Sequence, residues 1–355
     1  MSVISATDAF QRRHRGVSYP LSVLYKFFDD QGGYLAALIT YYAFVSLFPL
    51  LLLMSTVLGY VLADDPRAQD AVISSALGQF PVIGTQLEEP ERLGGGALGI
   101  VIGSLGALYG ALGVGLALQN AVNIAWAIPR NERPNPIQAR LRSLLLIVTA
   151  GLFVLGTTIL SAISADVGRW LGATGTWETV LNGLSRAAAA VFTALAFSVA
   201  FRLAAAHRPR FAQVVPGGIF AAVIWLLLQN FGGNLVDEVM RRASDTNFIF
   251  ALVLGLLAFL YVASVAVVLA VEGDVVRVNR LYPRALLTPL TDAVELTEAD
   301  ERAYAGQAKA ARLKGFELVR VTFDKRLAEG EGLDPGSASH PDHQDPPPPA
   351  AATPR

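Results

Sequence analysis

A chain of 355 residues with 53% apolar side chains, 16% charged ones and a mean hydropathy of +0.46 carries more apolar length than one soluble core buries. Its apolar runs of eighteen residues or more are those of an integral membrane protein. The net charge of −1 averages a basic membrane face against an acidic tail, while the absence of cysteine excludes disulfides, thiolate metal sites and cysteine nucleophiles.

Residues 1–33 form a cytoplasmic lead-in with Arg12, Arg13, His14, Arg15 and Lys26. It is polar and basic, and the apolar segment after it is too long for a signal peptide, so the first span should act as an uncleaved anchor. Within the lead-in, residues 19–28 suit an amphipathic helix on the membrane surface, with Leu21, Leu24, Tyr25 and Phe28 on one side.

The first span, 34–62, is longer than the hydrocarbon layer of about 30 Å requires at about 1.5 Å per residue, so it should tilt or kink. Pro49 supplies a kink by removing one donor, and Ser46 is near enough to satisfy the freed carbonyl. Tyr41 and Tyr42 lie about two turns earlier. Residues 64–96 are acidic (Asp64, Asp65, Asp70, Glu88, Glu89, Glu91), and the interrupted apolar stretch 70–87 reads as an interfacial helix or re-entrant segment of the first extracytoplasmic loop.

The second span lies within 97–128. Gly99, Gly103, Gly106, Gly110 and Gly113, then Ala117 and Asn120, alternate spacings of four and three and fall on one helix stripe. Each interior glycine would cost a soluble helix about 1 kcal/mol. In lipid the same stripe lets a neighbouring backbone approach closely. This predicts a central, protein-facing helix, and ordinary packing explains the glycines as well as transport does. Gln119, Asn120 and Asn123 near its end need protein or water partners.

Spans at 141–165, 180–206, 214–236 and 248–271 bring the total to six. Basic residues concentrate in alternate connections: the lead-in, the loop with Arg130, Arg133, Arg140 and Arg142, the loop with Arg202, Arg208 and Arg210, and the exit with Arg277, Arg280 and Arg284. The positive-inside rule then predicts an all-α, polytopic six-helix bundle at 34–284 with both termini cytoplasmic. Beyond it, residues 285–329 should hold a cytoplasmic helix over 297–314, with Thr297 as N-cap and Asp300 at the capping-box position, and a short strand over 316–323. The Pro-rich tail, 330–355, is disordered by composition.

Alternating direction sorts the polar groups by depth. Tyr41, Tyr42, Gln119, Asn120, Asn123, Glu272 and Asp274 fall toward the cytoplasm, with Arg202 or Arg277 as available counter-ions for the two carboxylates. Asn182, Arg186, Gln229, Asn230 and Asn234 fall toward the outside. Arg186 either snorkels to the headgroups or meets an anionic headgroup, Asp237 or Glu238. Such a pair of polar clusters is what a pathway for an amphiphile needs, and structural bundles show it too.

The run YYAFVSLFPLL from Tyr41, the run LYGALGVGLALQNAVNIAWAIP from Leu108 and the Val271-Glu272-x-Asp274 ending resemble the YihY/BrkB family of bacterial inner-membrane proteins. Ala270 departs from the family's usual Gly-Ala-Glu. The resemblance implies a six-helix protein of envelope integrity, with lipid or precursor movement among the activities suggested for its members, and a ribonuclease label carried in the past. The residues argue against that label. His14, His207, His340 and His343 are the histidines, and none has the HxHxDH spacing of a two-metal hydrolase. No Walker motif is present. The expectation is therefore a non-enzymatic transporter of an anionic amphiphile among membrane lipids, with no cofactor, metal or nucleic-acid partner and with oligomers open. A structural scaffold of the envelope is the alternative.

Overall fold

Backbone amides in lipid must find partners within their own segment, which favours helix, and every regular element among the described residues is helical. The computed structural model describes residues 3–61, 96–170, 176–242, 245–288, 291 and 294–323. Two short helices, α1 (Val3–Arg13) and α2 (Arg15–Asp29), lead into α3 (Gly32–Val61). Then come α4 (Gly96–Ala125), a 3-10 turn at Arg130–Glu132, α5 (Pro136–Trp170), α6 (Thr176–Ala204), α7 (Phe211–Arg242), α8 (Asp245–Val278) and α9 (Glu298–Ala310). The expected interfacial helix at 70–87 and the tail at 330–355 lie outside the described residues.

Five of these helices are long and apolar enough to cross a membrane, at Ser104–Ala125, Pro136–Thr157, Gly183–Ala204, Phe211–Gly232 and Val253–Val278. The expected first span corresponds to α3, of which Gly32–Leu47 is the described apolar part. Local signals start and stop the helices. Pro136 opens α5 behind Asn135, whose side chain accepts from Gln138 N at 2.8 Å. The ends of α4 and α8 are Schellman turns, with Ala127 and Arg280 at positive φ (51° and 53°) and Ile128 N and Leu281 N reaching back to Asn123 O and Val276 O, each at 2.9 Å.

The helices close a ring in chain order: α3 packs on α4, α4 on α5, and so on to α8, which returns to α3. Helix α4 also reaches α6 and α8 across the ring, so it is the central one. Its glycines explain the approach. A Cβ on Gly110 would lie 2.5 Å from Ser46 Cβ, 2.7 Å from its Cα and 2.8 Å from its N, so α3 and α4 meet backbone to backbone. Gly113 takes the Tyr42 ring in the same way. Gly106 is half-buried, and the side-chain surroundings of Gly99, Gly103 and Pro49 lie outside the description. Ser46 donates to Ala43 O at 2.9 Å, two residues before Val45, whose carbonyl Pro49 was expected to free.

One sequence expectation changes. Residues 316–323 form no strand: the segment is irregular, with Phe316 and Leu318 exposed and no strand among the described residues to accept its backbone bonds. Alternation alone cannot make a strand without a partner edge. Helix α2 is amphipathic, with Leu24 and Phe28 exposed beside Val17 and Phe10 of α1, and its polar side, Ser18, Ser22 and Lys26, is buried against the bundle.

Candidate functional site

The inward polar face of α2 meets the end of α8, and there the charges gather. Lys26 of α2 and Asp30, which caps that helix one turn later, pair directly, and the Lys26 ammonium also donates to Ala125 O at 3.2 Å. Its second carboxylate neighbour is Glu272 of α8, at 3.5 Å. Burial works against the lysine's charge, but the carboxylates beside it, Glu272 whenever it is ionised together with Asp30, hold its pKa above the ordinary value. Gln307 of α9 donates to the free oxygen of Asp30 at 2.7 Å, so the C-terminal helix closes over the cluster. Glu272 is completely buried, and neither of its oxygens has a hydrogen bond.

Two further charge groups flank it. Arg284, also fully buried, donates from Nε to Asp300 at 2.7 Å and pairs with Asp29 through Nη1, with the Tyr25 and Tyr304 rings on either side. Burial disfavours the guanidinium charge, and the two carboxylates more than restore it, raising its pKa. Asp300 also accepts from Thr297 N and completes the expected capping box of α9. Asp274, two residues beyond Glu272, faces another neighbour: it accepts from Gly217 N of α7 at 2.9 Å and from Arg277 at 3.3 Å. A Cβ on Gly217 would lie 2.6 Å from Ala270 O, so only glycine lets α7 come this near. Of the two counter-ions expected from sequence, Arg277 serves Asp274, but Arg202 serves neither carboxylate; the partner of Glu272 is Lys26.

The amides of α4 reach the same end but divide among three neighbours. Gln119 donates to Ala139 O and Ser143 Oγ of α5, both at 2.9 Å. Asn120 accepts from Arg133 at 3.4 Å. Asn123 accepts from Ala206 N at 2.8 Å and so caps the chain leaving α6. Buried as it is, Asn123→Ala should cost about 1–3 kcal/mol by orphaning that amide. Asn120→Ala, losing a long, half-buried bond, should cost little. Thermal unfolding of both full-length variants in detergent checks the difference.

The tyrosines stand deeper. Thr40 donates to Ser264 at 3.1 Å, and Ser264 is eight residues, or about 12 Å, along α8 from Glu272. At that level Tyr41, exposed, and Tyr42, half-buried, meet edge to face at 5.2 Å, and Tyr42 continues to Tyr109 of α4 at 6.2 Å. The second expected group stays apart. Arg186 is exposed on α6, about 30 Å along its helix from the Ala206 end. Gln229 is half-buried on α7, and Asn230 is exposed with a bond to its own helix at Leu226 O, 2.7 Å away. The side chains of Asn182, Asn234, Asp237 and Glu238 are outside the description.

Sequence reasoning missed Lys26, Asp29, Asp30, Arg284 and Asp300 as members of one assembly. A lysine one turn before an aspartate on an otherwise apolar amphipathic stretch was the available signal.

Comparison with known proteins adds three findings. The model of a family described as Virulence factor BrkB matches residues 23–293. The Bacillus subtilis (strain 168) protein named "Putative ribonuclease-like protein YfkH" is 22% identical over 252 residues, covering 68% of this chain and 88% of that protein. No solved structure matches.

Proposed function

The chain belongs to the BrkB family of membrane proteins, and from that premise we propose that it moves an anionic lipid or amphiphilic envelope precursor across the bacterial inner membrane. In this reading α3 is the sixth span: at 30 residues it is about 45 Å long, more than the roughly 30 Å needed. The basic connections then set both termini in the cytoplasm. The exposed apolar face of α1 and α2, flanked by Arg13 and Arg15, rests in the cytoplasmic headgroup layer.

The observation that carries the reading is Glu272. A fully buried carboxylate without a hydrogen bond weakens a purely structural part, and in a membrane bundle such a group marks function by default. The tyrosines and far-side Arg186 extend the polar route outward. The amides Gln119 and Asn123 support the mouth by fixing helix ends rather than by meeting the cargo. The test is flux of a labelled anionic lipid through vesicles holding the full-length protein, with Glu272→Gln as the inactive variant.

A scaffold built on the glycine stripe is less well supported, because Gly110 and Gly113 are closed by α3 of the same chain and offer no face to a second copy. The ribonuclease-like name of the B. subtilis protein is not extended to this chain. Among the described residues, no three His, Cys, Asp or Glu side chains are grouped to hold a metal.

A further inference from the structure

We propose that Glu272 is a proton-binding site, occupied by one proton when the polar end of the bundle is closed as seen here. The case is one of charge and geometry. Among the described residues Lys26 is the one cation facing the pair Asp30 and Glu272; it pairs directly with Asp30, donates to Ala125 O, and has only its third N–H for Glu272, which stands farther off at 3.5 Å. Asp30 interacts electrostatically with Glu272 as a like charge. The other cations nearby are engaged: Arg277 with Asp274 and Gln213 O, and Arg284 with Asp29 and Asp300. From α9 the contribution is the neutral Gln307, and from α4 a carbonyl; Tyr19 of α2 donates to Gly273 O beside the site.

One lysine between two carboxylates leaves an excess negative charge in a place closed to water, and burying such a charge uncompensated is strongly disfavoured. A proton on Glu272 removes it. Binding takes one proton from water and gives a neutral carboxyl; release returns the proton to water, and no other bond changes. Release would leave Glu272 competing with Asp30 for Lys26, loosening the hold of α2 and, through Gln307, of α9. That a proton is the coupling ion of transport rests on the transport reading above; the proton site itself does not.

Infrared spectroscopy of the full-length protein in a carbonyl-free maltoside detergent tests it. Spectra are taken at about pH 7.5, where exposed glutamates (pKa about 4.3) are ionised. The expected result is a protonated-carboxyl C=O band that moves when glutamate carries a carbon-13 side-chain carboxyl, is absent from Glu272→Gln, and is unchanged when choline replaces sodium. A missing band, a band that moves only with labelled aspartate, or a band abolished by sodium overturns the proposal, the last by making the site a cation site. The isotope comparison uses the wild-type chain, so a missing band, or one that does not move with labelled glutamate, overturns the proposal even if the variant fails to fold. Because the band is read without flux, an inactive transporter with the band would leave the proton site standing.

Discussion

Replacing Arg284 by methionine should destabilise the protein by about 3–5 kcal/mol, the largest effect expected from any single substitution in the polar end. The guanidinium is fully buried and is the shared counter-ion of Asp29 and Asp300, so its removal strands two carboxylates at once. It also sits where four chain segments meet. Gln11 of α1 donates to its carbonyl at 2.6 Å, Asp29 comes from α2, Asp300 from α9, and the rings of Tyr25 and Tyr304 flank it. Arg284→Lys should fall between, keeping the charge but losing the planar fork that reaches both partners. Adding Asp29→Asn and Asp300→Asn to Arg284→Met should recover part of the loss. Thermal unfolding in detergent, read beside the amount of protein reaching the membrane, measures this series. Equal melting of wild type and Arg284→Met would mean that the buried pairing has been misread.

The second large effect is at Gly110. Valine there puts its Cβ against Ser46 Cα and N, which are backbone and cannot swing aside, so α3 and α4 must separate. Overpacking of this kind costs about 1–3 kcal/mol. Gly151→Ala in α5 is the control: its Cβ would meet nothing within 4 Å, and alanine is the better helix former. Melting temperatures of the two variants should move in opposite directions or, at the least, only Gly110→Val should fall. A Gly110→Val protein as stable as wild type would show that the helices do not touch through this glycine.

Much of the architecture was legible because it follows from local composition. Apolar length marks the spans, and the four-and-three glycine spacing marks α4 as the helix others press against. Thr297 followed by Asp300 marks the start of α9. Glu272 and Asn123 stood out as polar residues in apolar surroundings. Their partners did not, since Lys26 and Glu272 come together only when α2 folds back along α8; the spacing of Lys26 and Asp30 hints at a paired lysine but does not point to Glu272. Lys26 also looked like an ordinary cytoplasmic charge, because an amphipathic helix is normally read with its polar side to water. In α2 it is the polar side that packs against the rest of the protein, so the serines and lysine turn inward. Residues 316–323 show the converse failure: their alternation is real, but a strand needs an edge to bond with, and the described residues supply none.

The transport reading is tested most directly in vesicles of phosphatidylethanolamine and phosphatidylglycerol holding the full-length chain and a labelled phosphatidylglycerol, scored for arrival of the label in the opposite leaflet. Glu272→Gln keeps Lys26 paired with Asp30 and so should retain the fold, while lacking the carboxyl that binds and releases a proton. Wild type should move the label at least about tenfold faster than empty vesicles, a barrier difference of about 1.4 kcal/mol, and Glu272→Gln should return to the empty-vesicle rate, with Arg186→Ala slowed. Wild type and Glu272→Gln both moving the lipid no faster than empty vesicles, or both equally fast, would contradict it.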